Sequence, residues 1–279
     1  MPELPEVETI RRDLEREVMG KRVKSIEILN ERTARRRSNP HDLETLLPGQ
    51  RLSGVRRRGK YLLFDLDSQM ILVVHLGMTG QLLHVKGTRE PVAEHTRAII
   101  TLAQGGQLRF VDQRTFGELF IAESCGKGGI PAELSHLGFD PLANEITWAG
   151  FATMLASRDT RLKALLVDQS FVAGIGNIYS DEILFASGLR YDRRAGSISA
   201  QEARRLYRAM IELLNEAVAQ RGSSLADEAY RDLYGETGNY QGQHNVYDRE
   251  GKPCPRCKHP IARDKVNGRS TFYCPHCQL

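Results

Sequence analysis

The chain has 279 residues, enough for two domains, and a formal net charge of +4 at pH 7. It has no apolar run near the roughly 20 residues that cross a bilayer, and acids stand near its start where a signal peptide carries basic residues. We therefore expect a cytoplasmic protein with no membrane partner. Two arginine runs, residues 35–37 and 56–58, predict basic patches for a polyanion rather than a uniform field.

The first twenty residues carry a helical pattern. Apolar side chains recur every three or four residues, at Val7, Ile10, Leu14 and Val18. Gly20 then provides a stop, so residues 5–19 are predicted to form an amphipathic helix with one face on a core.

The residues that open this helix allow a second interpretation. Removal of Met1 would leave Pro2 with a secondary amine, which attacks a sugar C1′ or an aldehyde carbon to give an iminium that stays cationic without a proton. Glu3 and Glu6 could supply or accept protons in such a reaction. A proline followed by acids is equally a plain helix start, and chemistry alone leaves both interpretations open.

The pattern of apolar residues changes twice in the middle of the chain. From about 22 to 122, short apolar runs alternate with turns, which predicts a β-sandwich. A passage rich in Gly follows at 125–131, and beyond it long periodic stretches such as 199–221 predict helices, so a domain boundary is placed near 125–148. Residues 222–246 are rich in Gly, Ser, Asp and Asn and are predicted to form a long loop.

Four of the five cysteines form two Cys-x-x-Cys pairs near the end of the chain, and Cys125 stands alone. Sixteen residues separate the pairs, a spacing that lets four thiolates close a tetrahedron around zinc. The predicted ligands are Cys254, Cys257, Cys274 and Cys277. Histidines at 259 and 276 are alternative ligands, but four thiolates fill a structural site and leave no open position. We therefore predict one structural Zn²⁺.

The segment between the cysteine pairs predicts a β-hairpin. Asn267-Gly268 is a strong two-residue turn signal, and Arg269 follows at the tip. Residues 251–279 contain six Lys or Arg against one Asp, so the tip is suited to phosphates. A folding module with a solvated basic face remains the alternative, because many zinc ribbons touch no nucleic acid.

Five motifs in a fixed order carry a resemblance that covers essentially the whole chain. They are residues 2–6 (PELPE), 75–78 (HLGM), 112–117 (DQRTFG), 174–179 (GIGNIY) and 274–278 (CPHCQ). Together they closely resemble formamidopyrimidine-DNA glycosylase. The resemblance favours Pro2 as the nucleophile over the plain helix start.

The resemblance implies a bifunctional base-excision repair enzyme that removes oxidised purines from damaged double-stranded DNA and then cuts the abasic strand. Pro2 would attack C1′, Glu3 would protonate the opening sugar at its ring oxygen, and Glu6 would support the proton traffic. Lys60 matches a lysine at the phosphate near the lesion, and Arg269 matches a hairpin arginine that clamps a phosphate. No organic cofactor is expected.

The resemblance also implies how DNA is held. Asn177 matches a phosphate-binding asparagine in a helix–two-turn–helix, and Ser223 with the loop after it matches a lesion-binding segment. The set that fills the hole left by an extruded base carries over to Met78, Arg114 and Phe116, with Arg114 also reading the orphaned cytosine. Further DNA contacts are expected at His95 and Arg158.

Two departures from the family pattern concern these contacts. Gln113 and Thr115 flank Arg114 where the family often has Pro and a basic residue, which leaves the intercalating residues intact. Asp159 follows Arg158 in a stretch that is usually more basic, and its carboxylate could weaken a phosphate contact.

The predicted fold is a multidomain α+β protein with an N-terminal β-sandwich and flanking helices, and a helical helix–two-turn–helix domain with a zinc ribbon. The expected domains are a catalytic β-sandwich at 1–130, a linker at 131–148, a helical domain at 149–245 with the lesion loop at about 222–245, and a zinc hairpin at 246–279. We expect a monomer associated with the bacterial nucleoid. The alternatives are an endonuclease VIII-like enzyme for oxidised pyrimidines, which Leu4 disfavours, and a non-catalytic damaged-DNA-binding protein.

Overall fold

The computed structural model describes residues 2–36, 42–124, 129–143, 146–225 and 230–279. Met1, Arg37 and Cys125, which figure in the sequence analysis, lie outside the described residues. The chain divides into two compact units. The first contains residues 1–135 and 220–239, and the second contains residues 136–219 and 240–279.

The first unit begins with helix α1, Leu4–Val18, close to the predicted 5–19. Pro5 lies in its first turn, where a missing N–H costs nothing, and Glu3 is the N-cap. Its predicted apolar stripe is fully buried, as expected from the helical spacing. The helix thus holds the N-terminal residues rigidly against the core of this unit.

Two four-stranded antiparallel sheets follow α1. One sheet has the order β1-β6-β7-β5 and the other β2-β3-β4-β8. The strands are β1 (Val23–Ile28), β2 (Leu52–Arg58), β3 (Tyr61–Leu66), β4 (Met70–His75), β5 (Gly80–Val85), β6 (Thr96–Leu102), β7 (Gln107–Asp112) and β8 (Glu118–Glu123). A short helix α2, Asp42–Leu46, lies between β1 and β2. Apolar side chains of both sheets and of α1 form one core, so the predicted β-sandwich is confirmed.

The second unit is helical, as predicted. Its helices are α3 (Trp148–Ala156), α4 (Leu162–Leu166), α5 (Asn177–Ser187) and α6 (Ala200–Ala219). A turn at residues 169–171 and a bend at 173–174 separate α4 from α5, as expected for a helix–two-turn–helix arrangement. Helix α6 lies within the predicted 199–221: it begins one residue later and ends two residues earlier, and residues 220 and 221 belong to the first unit.

The predicted hairpin closes the second unit. Strand β9, Ala262–Val266, pairs antiparallel with β10, Arg269–Tyr273. Asn267 and Gly268 both have positive φ, +50° and +77°, as a two-residue hairpin turn of this kind requires. Arg269 therefore opens β10 directly after the turn.

Residues 220–239 pack with the first unit, although the expected domains place them with the helical one. The described part of the predicted loop 222–245 contains one short 3-10 turn, Tyr240–Gln243, and no α-helix or strand. Arg221 fixes its start: Nη2 donates to Asp13 Oδ2 and to Asp232 Oδ2, each at 2.5 Å. Both carboxylates are essentially fully buried.

Removing this arginine is expected to destabilise the protein strongly. Arg221→Met leaves two buried carboxylates without their shared cation, at a cost of about 3 kcal/mol or more of unfolding free energy. The exposed pair of Arg208 with Glu212 gives a matched control, because Arg208→Met removes a solvated ion pair and is expected to change little. Chemical denaturation of both variants measures the difference, and equal unfolding midpoints would contradict the role given to Arg221.

In the described part of the chain, no helix is both long enough and apolar enough to cross a membrane.

Candidate functional site

The N-terminal carboxylates are buried and bonded to each other's backbone. Glu6 Oε2 accepts a hydrogen bond from the Glu3 amide at 2.8 Å, and the Glu3 side chain accepts one from the Glu6 amide, which is a capping box. Glu3 is 2% exposed and Glu6 1% exposed. Pro2 is buried directly beside them. The structure therefore brings together the three N-terminal residues named from the sequence.

Ser223 joins the same cluster from 217 residues away. Its amide donates to Glu6 Oε1 at 2.7 Å, while Glu6 Oε2 accepts the Glu3 amide. The carboxylate of Glu6 therefore connects the loop to Glu3. Gly222 makes this approach possible: its φ is +77°, and a Cβ there would lie 2.6 Å from Glu6 Oε1. Sequence analysis named Ser223 and Glu6 separately and missed their contact, because no local pattern encodes it.

Lys60 lies at the turn between β2 and β3 and is only 8% exposed. The nearby ring of His75 stacks on Tyr61, with ring centroids 4.5 Å apart. Burial lowers the pKa of His75 to about 4, and the positive charges of Lys60, Arg36 and Arg35 act in the same direction. His75 is therefore neutral at pH 7.

This histidine makes stability depend on pH. Its folded pKa of about 4 lies below the ordinary 6.5, so the unfolded chain binds more protons between these values and stability falls as pH drops from 6.5 to 4. The loss attributable to His75 reaches roughly 3 kcal/mol at most. His75→Phe keeps an aromatic ring against Tyr61 and removes the titration, so denaturation at pH 7 and pH 5 is expected to show a smaller difference for the variant. An unchanged difference would contradict the assignment.

The residues expected to fill the space that an extruded base leaves in the DNA lie on two turns of the first unit. Met78 is 38% exposed and Phe116 46% exposed, which is unusual for large apolar side chains. The guanidinium of Arg114 lies 4.8 Å from the centroid of the Phe116 ring. The structure therefore brings Arg114 and Phe116 together.

Other predicted contacts of this unit are more dispersed. His95 has a φ of +66°, and its Nδ1 lies 3.4 Å from Arg97 Nη2. The described arginines of the two runs bind largely partners within the unit. Arg36 Nη2 lies 2.8 Å from Glu118 Oε1, and Arg57 Nε lies 3.0 Å from Glu8 Oε2. The runs thus contribute structural pairs as well as positive charge.

In the second unit, Asn177 and Arg269 line one pocket of about 250 Å³, together with Lys163, Val167, Val266 and Asn267. Asn177 is the first residue of α5, and its Nδ2 donates to Ser270 O at 2.9 Å. Its buried Oδ1 has no hydrogen-bond partner among the described residues. The pocket therefore combines an exposed guanidinium with the N-terminal end of α5, where the positive end of the helix dipole suits an anion.

A buried ion pair supports that pocket and was missed by sequence analysis. Lys163 Nζ donates to Asp181 Oδ1 at 2.7 Å, and the other oxygen of Asp181 accepts the Phe272 amide at 3.0 Å. Asp181 thus ties the hairpin to α5. A lysine and an aspartate 18 residues apart gave no spacing signal that could have revealed the pair.

Arg158 lies in the same unit, with its guanidinium 5.8 Å from the centroid of the Phe171 ring. The carboxylate of the neighbouring Asp159, which was expected to disturb a phosphate contact, pairs with Arg194 at 3.1 Å. This pair is exposed and places an opposite charge beside Asp159.

The four cysteines of the predicted zinc site come together. All four Sγ atoms lie within 4.8 Å of one another. Cys254 and Cys277 have Sγ atoms 3.9 Å apart, and Cys257 and Cys274 have theirs 3.4 Å apart. Tetrahedral Zn–S bonds of about 2.3 Å place sulfurs about 3.8 Å apart, so the arrangement fits a structural Zn²⁺.

Comparison with known proteins agrees with this architecture. Three family models match: the formamidopyrimidine-DNA glycosylase N-terminal domain over residues 1–119, the formamidopyrimidine-DNA glycosylase H2TH domain over 137–229, and the zinc finger found in FPG and IleRS over 251–279. Formamidopyrimidine-DNA glycosylase from Thermus thermophilus is 45% identical over 100% of this chain and 98% of its own length.

Solved structures show the same likeness. The crystal structure of the MutM (Fpg) protein from Thermus thermophilus superposes with a TM-score of 0.87 at 43% identity, covering 99% of this chain and 98% of that one. A Lactococcus lactis Fpg mutant in complex with DNA containing Fapy-dG gives 0.88 at 31% identity, covering 99% of both chains.

The β-sandwich, the helical unit and the cysteine cluster define a DNA glycosylase with a zinc finger. The chain belongs to the formamidopyrimidine-DNA glycosylase family. Enzymes of this family combine DNA glycosylase activity with cleavage of the resulting abasic site.

Proposed function

We propose that this chain excises oxidised purines, chiefly 8-oxoguanine and formamidopyrimidines, from duplex DNA and then cleaves the strand. The buried cluster of Pro2, Glu3, Glu6 and Ser223 is the observation that carries the proposal. Once Met1 is removed, the cluster sets the secondary amine of Pro2 beside two carboxylates that are shielded from water. The Lactococcus lactis relative crystallised on Fapy-dG DNA supports a purine substrate.

The proposed chemistry uses only groups of this chain. The lone pair of the Pro2 nitrogen forms a bond to C1′ while the bond from C1′ to the damaged base breaks, and the proton that the nitrogen then carries is transferred to the departing base. Glu3 donates a proton to the ring oxygen as the sugar opens, which leaves an iminium between Pro2 and C1′. The iminium acidifies C2′, so loss of a C2′ proton expels the 3′ phosphate, and a second elimination expels the 5′ phosphate.

We propose that Glu6 keeps Pro2 and Glu3 in place, because one of its oxygens binds the Glu3 amide and the other binds the Ser223 amide in the loop. Lys60 would hold the phosphate near the lesion from its buried position at the turn between β2 and β3. Ser223 and the loop after it would receive the extruded base. Burial of the carboxylates strengthens each of these electrostatic interactions.

For DNA binding, we propose Asn177 and Arg269 as phosphate ligands, supported by the pocket that they share. His95 and Arg158 would add contacts to the backbone. Met78, Arg114 and Phe116 would fill the space that the base vacates, supported by their exposure and by the stacking of Arg114 on Phe116. The zinc held by the four cysteines would fold the hairpin that carries Arg269.

We further propose that the protein acts as a cytoplasmic monomer. The sequence-based domains at 1–130, 149–245 and 246–279 remain our proposed functional division, with residues 220–239 packed on the first of them. No described helix could carry the chain through a bilayer, and DNA in bacteria is reached from the cytoplasm.

An incision assay tests the proposed substrate class. Duplexes that carry 8-oxoguanine opposite cytosine, or an oxidised pyrimidine opposite guanine, are labelled at one end and incubated with the zinc-loaded protein. We expect cleavage of the purine duplex to products that carry phosphate at both new ends. Preference for the pyrimidine duplex would indicate an endonuclease VIII-like enzyme, and binding of both duplexes without cleavage would indicate a damage-binding protein.

A further inference from the structure

The three side chains proposed to enter the DNA lie on two separate turns. Met78 follows β4, whereas Arg114 and Phe116 lie between β7 and β8. Side chains on independent turns would have to be aligned each time they entered a duplex, at an entropic cost. Two features of the structure fix these turns. Here "wedge" denotes Met78, Arg114 and Phe116.

A buried carboxylate holds both turns from the inside. Asp112, the last residue of β7, is 0% exposed. Its Oδ1 accepts Thr79 Oγ1 at 2.6 Å and the Arg114 amide at 3.2 Å, and its Oδ2 accepts the Gly117 amide at 2.7 Å. Because Thr79 directly follows Met78, this one carboxylate connects the Met78 turn to the turn that carries Arg114 and Phe116.

A guanidinium binds the backbone carbonyls of the turn that carries Arg114 and Phe116. Arg35 Nη1 donates to Gly117 O at 3.0 Å and to Thr115 O at 3.5 Å, and Nη2 donates to Phe116 O at 3.0 Å. Three consecutive carbonyls thus bind one planar donor group. Thr115 has a φ of +54°, which disfavours this backbone by about 1 kcal/mol without such support.

The two turns also approach each other closely. Gly77 has a φ of +64°, and a Cβ there would lie 2.5 Å from the Gly117 amide nitrogen. The same amide nitrogen binds Asp112. Any side chain at position 77 would therefore push the turns apart, which shows how tightly the wedge residues are spaced.

We propose that Arg35 and Asp112 are positioning residues of the wedge, with Arg35 fixing the carbonyls and Asp112 fixing the amides of the turn at 113–117. Arg35 belongs to the run at 35–37, for which the sequence analysis predicted a basic patch for a polyanion. The proposal rests on the proposed function, because it concerns how the base is extruded and how its partner is read. Under this proposal, both residues influence the extrusion of the base and have little influence on the cleavage of bonds.

The test compares two substrates of one reaction under single-turnover conditions. The first is a duplex with 8-oxoguanine opposite cytosine or adenine, which requires the wedge. The second is a single-stranded oligonucleotide with a preformed abasic site, which has no base to extrude and no partner strand. Borohydride trapping reports the chemical step on the second substrate.

Arg35→Gln is expected to lower kcat/KM on the 8-oxoguanine duplex at least tenfold and to reduce the preference for cytosine over adenine. Trapping on the single-stranded abasic site is expected to stay within twofold. Arg35→Lys, which retains a cation with three donors, is expected to restore part of the duplex activity. Thr79→Val removes the hydroxyl bond to Asp112 at nearly constant volume and is expected to act in the same direction as Arg35→Gln.

Arg22→Gln is the matched control. Arg22 lies in the same unit and also bonds one carbonyl, Gly49 O at 2.8 Å, and one carboxylate, Asp67 Oδ2 at 3.3 Å. Arg22→Gln is expected to leave the activity on both substrates unchanged. Glu118 keeps its bond to Arg36 in the Arg35 variants, so their thermal midpoints should stay near that of the wild type.

An equal loss of activity on both substrates in Arg35→Gln would overturn the positioning role, because it would indicate a general structural effect. Unchanged duplex activity and unchanged opposite-base preference in Arg35→Gln would overturn it as well. Wild-type protein is assayed first: if it acts on neither oligonucleotide, the proposed function itself is contradicted and this inference falls with it.

Discussion

Glu3→Gln is expected to lose base excision by roughly 10²–10⁴-fold and still to cleave a preformed abasic site. Glutamine keeps the shape of the side chain and its place in the capping box, but it cannot donate the proton that opens the sugar. At a preformed abasic site the base has already left and the sugar can open on its own, so the amine of Pro2 still forms the iminium. The two activities should therefore separate.

The measurement uses one preparation on two duplexes, one with 8-oxoguanine and one with an abasic site. Glu15→Gln is the matched control, because Glu15 lies on the same helix but is exposed and paired with Arg11. It should leave both activities unchanged. Equal loss of both activities in Glu3→Gln would contradict the proposed role of Glu3.

Pro2→Gly complements this variant. Glycine at the N-terminus still presents an amine, although a primary one, so some lyase activity is expected to remain. A primary amine gives an imine that must be protonated to act as an electron sink, which slows the elimination.

Loss of one zinc ligand is expected to have the second largest effect. Cys254→Ser or Cys277→Ser removes a thiolate from a four-sulfur site, and structural zinc sites supply folding free energy directly. The hairpin that presents Arg269 should then lose its order, and DNA affinity should fall by about tenfold or more, since a charged hydrogen bond contributes about 1.5–3 kcal/mol.

Zinc content and duplex binding are measured together for these variants. Cys125→Ser is the matched control, because Cys125 stands outside both Cys-x-x-Cys pairs. Binding should also weaken with added salt in the wild type, through its phosphate contacts. Full zinc content and undiminished binding in Cys254→Ser would contradict the account of the ribbon.

Local patterns accounted for much of the fold. The three- and four-residue spacing of apolar side chains gave helix α1 to within one residue at each end. Asn267-Gly268 gave the hairpin turn, because few other pairs adopt positive φ at both positions. The two Cys-x-x-Cys pairs gave the metal cluster, because their chemistry has few other uses at that spacing.

The contacts that complete the site could not be predicted in this way. Ser223 reaches Glu6 and Arg221 reaches Asp13 across more than 200 residues, so no window of sequence contains both partners. Arg35 illustrates a different difficulty. A run of three arginines indicates positive charge, but only the folded chain shows that this guanidinium binds backbone carbonyls of a turn 80 residues away.

The most direct test of the proposed function is borohydride trapping on a duplex with one 8-oxoguanine opposite cytosine. The protein is first shown by mass to lack Met1, and an oxidised-pyrimidine duplex and an abasic duplex are run beside it. We expect a covalent adduct on the 8-oxoguanine strand that maps to Pro2. An adduct that maps to another residue, or no adduct on any of the three duplexes, would contradict it.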